Sequence, residues 1–152
     1  SQNVHLPILV RFSDILKSRI EQMYQCFAIA SQEYEYQGKY FGIYPIKVNQ
    51  QRQVVEEIVK FGTPYHFGLE AGSKPELHAV LALLNNPNAP IICNGYKDET
   101  FIRMAIIGQR LDKKIILVVE KLKELDLIIR VAQDLEISPP KQRNKNFLER
   151  KN

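Results

Sequence analysis

The 152-residue sequence predicts a parallel-stranded α/β fold, and two patterns carry that prediction. Short, near-continuous apolar runs recur along the chain, as expected for strands buried on both faces of a parallel sheet. Amphipathic stretches lie between them, and parallel strands need crossover connections of this kind. With strand centres at Leu9, Ile43, Leu69, Ile92 and Leu117, the gaps are 34, 26, 23 and 25 residues, which makes five β/α units in regular alternation. The right-handedness of such crossovers makes the sheet parallel.

The elements follow in order. Apolar runs at 6–12, 40–48, 66–69, 90–93 and 114–119 read as strands, each flanked by Gly, Pro or Asn. The stretch 13–36 reads as a long helix, with Leu16, Ile20, Met23, Phe27 and Ala30 at three-to-four spacing. The next helix, 51–61, carries Val54, Val55, Ile58 and Phe61, and Gly62 can end it. Ser73-Lys-Pro-Glu76 forms a capping box ahead of the stripe Leu77, Val80, Leu81 and Leu84. Pro75 suits a first turn, whose N–H groups lack intrahelical partners. Asp98 can cap a helix running to about Arg110, and Leu122, Leu125, Ile128, Ile129 and Ala132 mark the last one.

Two architectures fit this alternation. A five-stranded doubly wound sheet has about this size, whereas a (β/α)8 barrel needs about 250 residues. Composition narrows the class further. A content of 45% hydrophobic and 25% charged residues excludes wholesale disorder. No apolar run approaches the ~18–20 residues of a membrane span, and no secretory signal pattern opens the chain. Two cysteines, Cys26 and Cys93, make neither a disulfide framework nor a metal site, so a reducing, cytoplasmic setting is expected. The net charge of +4 points toward nucleic acid only until it is located. Residues 139–152 hold five cations and one anion, and the first 138 residues hold sixteen of each sign. The expectation is a neutral globular unit, 1–138, followed by a basic and disordered tail, 139–152, with no nucleic-acid or membrane partner.

In either architecture ligands bind at the C-terminal ends of the strands. Four runs end there on a polar side chain: Lys47, Glu70, Asn94 and Glu120. Lys47 sits between Ile46 and Val48, where desolvation of its stem would favour the neutral, nucleophilic amine. A lysine snorkelling from a strand end accounts for the same position. Pro45 just before it breaks the strand pattern, and broken local rules concentrate at functional sites. Other chemistries are poorly served. The seven glycines form no phosphate cradle, the three histidines have no metal-ligand spacing, and Ser73 reads as a helix cap.

Four segments together resemble one family. Tyr44-Pro-Ile-Lys47-Val-Asn-Gln50 is similar to the biosynthetic arginine decarboxylases, which are fold-type III pyridoxal 5′-phosphate (PLP) enzymes with an alanine-racemase-like barrel. Leu6-Pro-Ile-Leu-Val-Arg-Phe-Ser-Asp-Ile-Leu16, Gly68-Leu-Glu-Ala-Gly-Ser-Lys-Pro-Glu-Leu77 and Ile92-Cys-Asn-Gly-Tyr-Lys-Asp98 continue the likeness in order, over about residues 4–138. The resemblance implies a partial (β/α)8 TIM barrel of about five units. It implies Lys47 as the Schiff-base residue, with Glu70 and Asn94 as supporting residues of the cofactor pocket. It further implies decarboxylation of L-arginine to agmatine and carbon dioxide in putrescine and spermidine biosynthesis. Magnesium and a homo-oligomer with shared active sites are also implied.

The departures set a further expectation. Family members are several times longer and have another barrel strand soon after Leu135-Glu-Ile-Ser-Pro-Pro140, where this sequence turns to Lys141-Gln-Arg-Asn-Lys-Asn146, with no apolar run. The glycine-rich phosphate loop, the acid that pairs with the pyridine nitrogen and the β domain lie outside the sequence. An incomplete, inactive fragment is therefore expected. The alternatives are another fold-type III decarboxylase, acting on ornithine or diaminopimelate, or a noncatalytic β/α interaction module.

Overall fold

A computed structural model describes residues 6–137, residue 139 and the backbone of 141–144. The helices are α1 (Ser13–Glu33), α2 (Arg52–Gly62), α3 (Lys74–Leu83), α4 (Glu99–Arg110) and α5 (Leu122–Asp134). The strands are β1 (Ile43–Pro45), β2 (Gly68–Ala71), β3 (Pro90–Cys93), β4 (Lys114–Val119) and β5 (Lys141–Asn144). All neighbouring strands pair parallel, in the order β1-β2-β3-β4-β5.

That order decides between the two architectures. A doubly wound sheet reverses its strand order once, at a switch point, and so carries helices on both faces. Here the order never reverses, and α1, α2, α3, α4 and α5 each pack against the next. The helices therefore lie on one face of a sheet that winds steadily in one direction, which is a barrel wall of five strands and four complete β/α units among the described residues rather than a complete doubly wound domain.

The two faces of the sheet differ. Leu69, Ala71, Ile91, Cys93 and Leu117 are fully buried and meet Leu77, Val80, Ile102, Ile106, Ile128 and Val131 from the helices. Full burial of each large aliphatic side chain contributes ~1.5–3 kcal/mol. The alternate positions Ile43, Glu70, Ile92 and Ile116 lie on the opposite face and are only half-buried. Pairing puts Pro45, Glu70, Ile92 and Ile116 side by side in one layer. Gly68 permits the close approach of β2 and β3, since a Cβ there would stand 2.1 Å from the Pro90 carbonyl oxygen.

Both N-caps form, but Glu76 reaches past Ser73 to the Gly72 N–H instead of closing the expected capping box. Ser73 Oγ accepts from Glu76 N–H at 3.4 Å, and Asp98 Oδ1 accepts from Phe101 N–H at 2.9 Å. Between α1 and β1, aromatic rings hold the chain in place. Phe27 stacks on Tyr40 at 3.8 Å, Tyr24 stacks on Tyr65 at 4.4 Å, and Gly42 N–H donates to Tyr24 Oη.

Three elements differ from the sequence expectation. The apolar run 6–12 is not a strand among the described residues, and Leu6 (85%), Leu9 (76%) and Phe12 (69%) stand exposed. Apolar character makes a strand only where a neighbour completes its backbone hydrogen bonds. The run 40–48 narrows to the three residues of β1, followed by a 3-10 turn, Ile46–Val48. Conversely, Lys141–Asn144, read as part of a disordered tail, pairs with Ile116–Val119 of β4. Its place comes from the open edge of β4, whose N–H and C=O groups pair with any backbone. Residues 145–152 lie outside the described residues. No described helix is long and apolar enough to cross a membrane.

Candidate active site

The C-terminal ends of β1 to β4 converge on an open cleft of about 370 Å³. Lys47 enters it from the 3-10 turn after β1, Glu70 from β2, Asn94 from just beyond β3 and Glu120 from just beyond β4. The turn between β2 and α3 contributes Gly72 and Ser73, and the first turn of α3 contributes Glu76. The four strand-end residues singled out by sequence thus share one cavity.

Lys47 Nζ stands 3.8 Å from Glu70 Oε1, close enough for an ion pair but long for a hydrogen bond. The Lys47 side chain is 65% exposed, and Val48 beside it is exposed as well. The desolvated stem suggested by its apolar neighbours is therefore absent, because the chain leaves the strand at Ile46 and turns outward. Pro45 ends β1, which has a partner on one side only among the described residues, so its missing N–H leaves no gap in the β1–β2 ladder. The segment after Lys47 is tied down: Tyr44 Oη donates to the Asn49 carbonyl, and Gln50 Nε2 donates to Glu76 Oε1 at 3.3 Å.

Asn94 N–H donates to the Ala71 carbonyl at 3.0 Å, which extends the β2–β3 ladder by one step. Its Oδ1 is buried and accepts no hydrogen bond among the described residues. Gly95 follows at φ +78°, in the left-handed region that favours glycine. Two turns share one device. Glu76, at the third position of α3, accepts the Gly72 N–H at 2.7 Å, and Glu124, at the third position of α5, accepts the Glu120 N–H at 2.9 Å. In the turn between them, Lys74 pairs with Asp98, and that contact, with the Phe101 N–H, holds the Asp98 carboxyl below the usual carboxylate range.

One feature of this region has no sequence signal of its own. Lys97 and Glu124 are buried against each other, with Nζ 3.5 Å from Oε2. Lys97 alone reads as a surface lysine in a polar turn. Glu124 reads as a first-turn carboxylate, and only the fold shows that the two meet.

The chain matches the model of a family described as pyridoxal-dependent decarboxylase, pyridoxal binding domain, over residues 17–141. The chain belongs to this family. Curated relatives of this pyridoxal-binding domain include the biosynthetic arginine decarboxylases of Phocaeicola vulgatus and Gloeobacter violaceus. Each is 54% identical over 138 residues, covering 91% of this chain but 22% and 21% of those proteins. Among solved structures, the biosynthetic arginine decarboxylase of Campylobacter jejuni superposes with a TM-score of 0.80 at 40% identity, over 88% of this chain and 22% of that one. A diaminopimelate decarboxylase from M. jannaschi gives 0.63 at 25% identity, over 84% of this chain and 28% of that one. The chain spans about a fifth of the length of the arginine decarboxylases it matches.

The cleft fits one end of a pyridoxal group. Lys47 offers an accessible amine to an aldehyde, Glu70 balances positive charge beside it, and Asn94 lines the same cavity with a buried Oδ1 that accepts no hydrogen bond among the described residues. A phosphate finds only one cation here, Lys47, among three carboxylates, Glu70, Glu76 and Glu120. The phosphate end therefore needs groups beyond this cleft. For the magnesium implied by resemblance, no group of three or more His, Cys, Asp or Glu among the described residues can hold a metal ion.

Proposed function

We propose that this chain is the cofactor-attachment part of an enzyme that decarboxylates L-arginine to agmatine and carbon dioxide, serving polyamine biosynthesis. The juxtaposition of Lys47 Nζ and Glu70 Oε1, 3.8 Å apart at the strand ends of a pyridoxal-binding barrel wall, carries the reading. Identity to arginine decarboxylases at 48–54% supports the substrate class. The weaker likeness to the diaminopimelate enzyme supports the shared fold.

PLP, when bound, supplies an electron sink for the pair left at the α carbon as carbon dioxide departs. Lys47 Nζ is the atom of attachment. Glu70 Oε1 stabilises positive charge at that nitrogen and holds the amine at the strand ends. Asn94, which lines the same cavity, helps to orient the bound group. The acidic rim attracts a cationic substrate at long range, an effect that salt screens. Residues supplied by the rest of a longer protein complete the phosphate and substrate sites, and a homo-oligomer with shared sites fits that requirement. The free cysteines suit a reducing, cytoplasmic compartment.

Mixing the chain with PLP, fixing the product with borohydride and mapping it by mass tests the reading. One adduct on Lys47, lost in Lys47→Ala, is the expected result. Labelling spread over exposed lysines such as Lys17, Lys60 and Lys123 would overturn the site. Agmatine release by the isolated chain is expected to be undetectable.

A further inference from the structure

Among the large, fully buried side chains of the described core is a lysine, Lys97, which is 1% exposed. Its Nζ donates to the Gly95 carbonyl and pairs with Glu124 Oε2 at 3.5 Å. The same Oε2 accepts the Glu120 N–H at 2.9 Å. The pair therefore joins the turn after β3, which presents Asn94 and Gly95, to the turn after β4, which presents Glu120. All three residues line the cleft. On the outer side, Lys121 Nζ lies 5.3 Å from the centre of the Tyr96 ring and links the same two turns again.

Stability does not account for this arrangement. Glu124 Oε1 is buried and accepts no hydrogen bond among the described residues, so the pair is only partly satisfied. Buried ion pairs of that kind are commonly matched or bettered by apolar groups of similar volume. What an apolar pair cannot do is grip two backbones at once, through the Gly95 carbonyl and the Glu120 N–H.

We propose that Lys97 and Glu124 are positioning residues, whose buried ion pair fixes the spacing of the β3–α4 and β4–α5 turns and thereby the placement of Asn94 and Glu120 around the group attached at Lys47. The proposal rests on the reading of the cleft as the PLP site. It assigns a role to two residues that do not themselves line the cleft.

The test compares the 152-residue chain with the Lys97→Met/Glu124→Leu double variant and with Glu124→Gln, which keeps an acceptor oxygen but removes the charge. Three quantities are read: the thermal midpoint, the amide NMR shifts and hydrogen exchange of Asn94, Gly95 and Glu120, and the PLP concentration that half-labels Lys47. The double variant is expected to keep a midpoint close to the parent's, while those three amides shift and lose protection. Half-labelling should need about tenfold more PLP, the scale on which loss of an orienting partner acts. Unchanged amides with half-labelling within about twofold of the parent would overturn the proposal. If the double variant does not fold, Glu124→Gln is judged by the same criteria. If the parent itself takes up no PLP at Lys47, the functional reading fails. The amide shifts then decide the positioning role alone.

Discussion

Cys93 shows how burial sets chemistry at a single residue. It is wholly enclosed between the sheet and the helices, and burial pushes its thiol up to about 12, against a smaller opposing pull from Lys97. The folded chain thus keeps a proton that the unfolded chain releases near the ordinary thiol pKa of about 8.5. The stability linked to this proton is complete below that value and is lost as pH rises from there toward about 12. Cys26 is exposed. At pH 8 a maleimide or aromatic disulfide reagent should modify Cys26 alone, and mass mapping should find Cys93 only after unfolding. Rapid labelling of Cys93 in the native chain would contradict this core. At this scale the sequence shows which residues share the cleft. Lys47, Glu70, Asn94 and Glu120 are legible because strand ends face the ligand side of any parallel α/β fold. The Lys97–Glu124 pair is not, because contact between distant side chains is a product of topology.

Elements were legible where local chemistry and tertiary context agree. The caps at Ser73 and Asp98 are examples, since a side-chain acceptor at the start of a helix satisfies a free N–H wherever the helix goes. Ser73→Ala is expected to cost about 1 kcal/mol, the usual worth of an N-cap, read as a shift of the denaturant midpoint with an unchanged slope. Gly68→Ala should cost considerably more. Its Cβ would stand 2.1 Å from the Pro90 carbonyl oxygen, a backbone atom that moves only if β2 and β3 separate. A variant as stable as the parent would show that the strands can part without loss. The strand reading failed where pairing, rather than composition, decides. Residues 6–12 have the composition without a partner, and Lys141–Asn144 have a partner without the composition.

At the scale of the whole molecule, the helices cover one face of the sheet only. Ile43, Ile92 and Ile116 on the other face are half-buried, and Leu6, Leu9, Phe12, Ile15 and Ile29 add exposed apolar surface. The outer edges of β1 and β5 have no strand beside them among the described residues. Unpaired edges and contiguous apolar surface promote association. Sedimentation velocity on the isolated chain should show species growing with concentration, and a monomer that persists across the whole range would contradict this. The barrel itself became legible only when periodicity was joined to resemblance. Alternation of strands and helices is common to both architectures, and strand order, which separates them, leaves no trace in local spacing.

The fifth strand changes what a shorter chain would mean. Four polar residues, Lys141 to Asn144, sit in the sheet through backbone pairing with β4. A cut at Pro139 would not trim a free end. It would remove a rung of the wall and leave the carbonyl and amide row of Ile116–Val119 bare. Anyone shortening or tagging this protein there would be editing the sheet, and a loss of binding after such a cut would report the state of β4 before it reported any role for the charges beyond it.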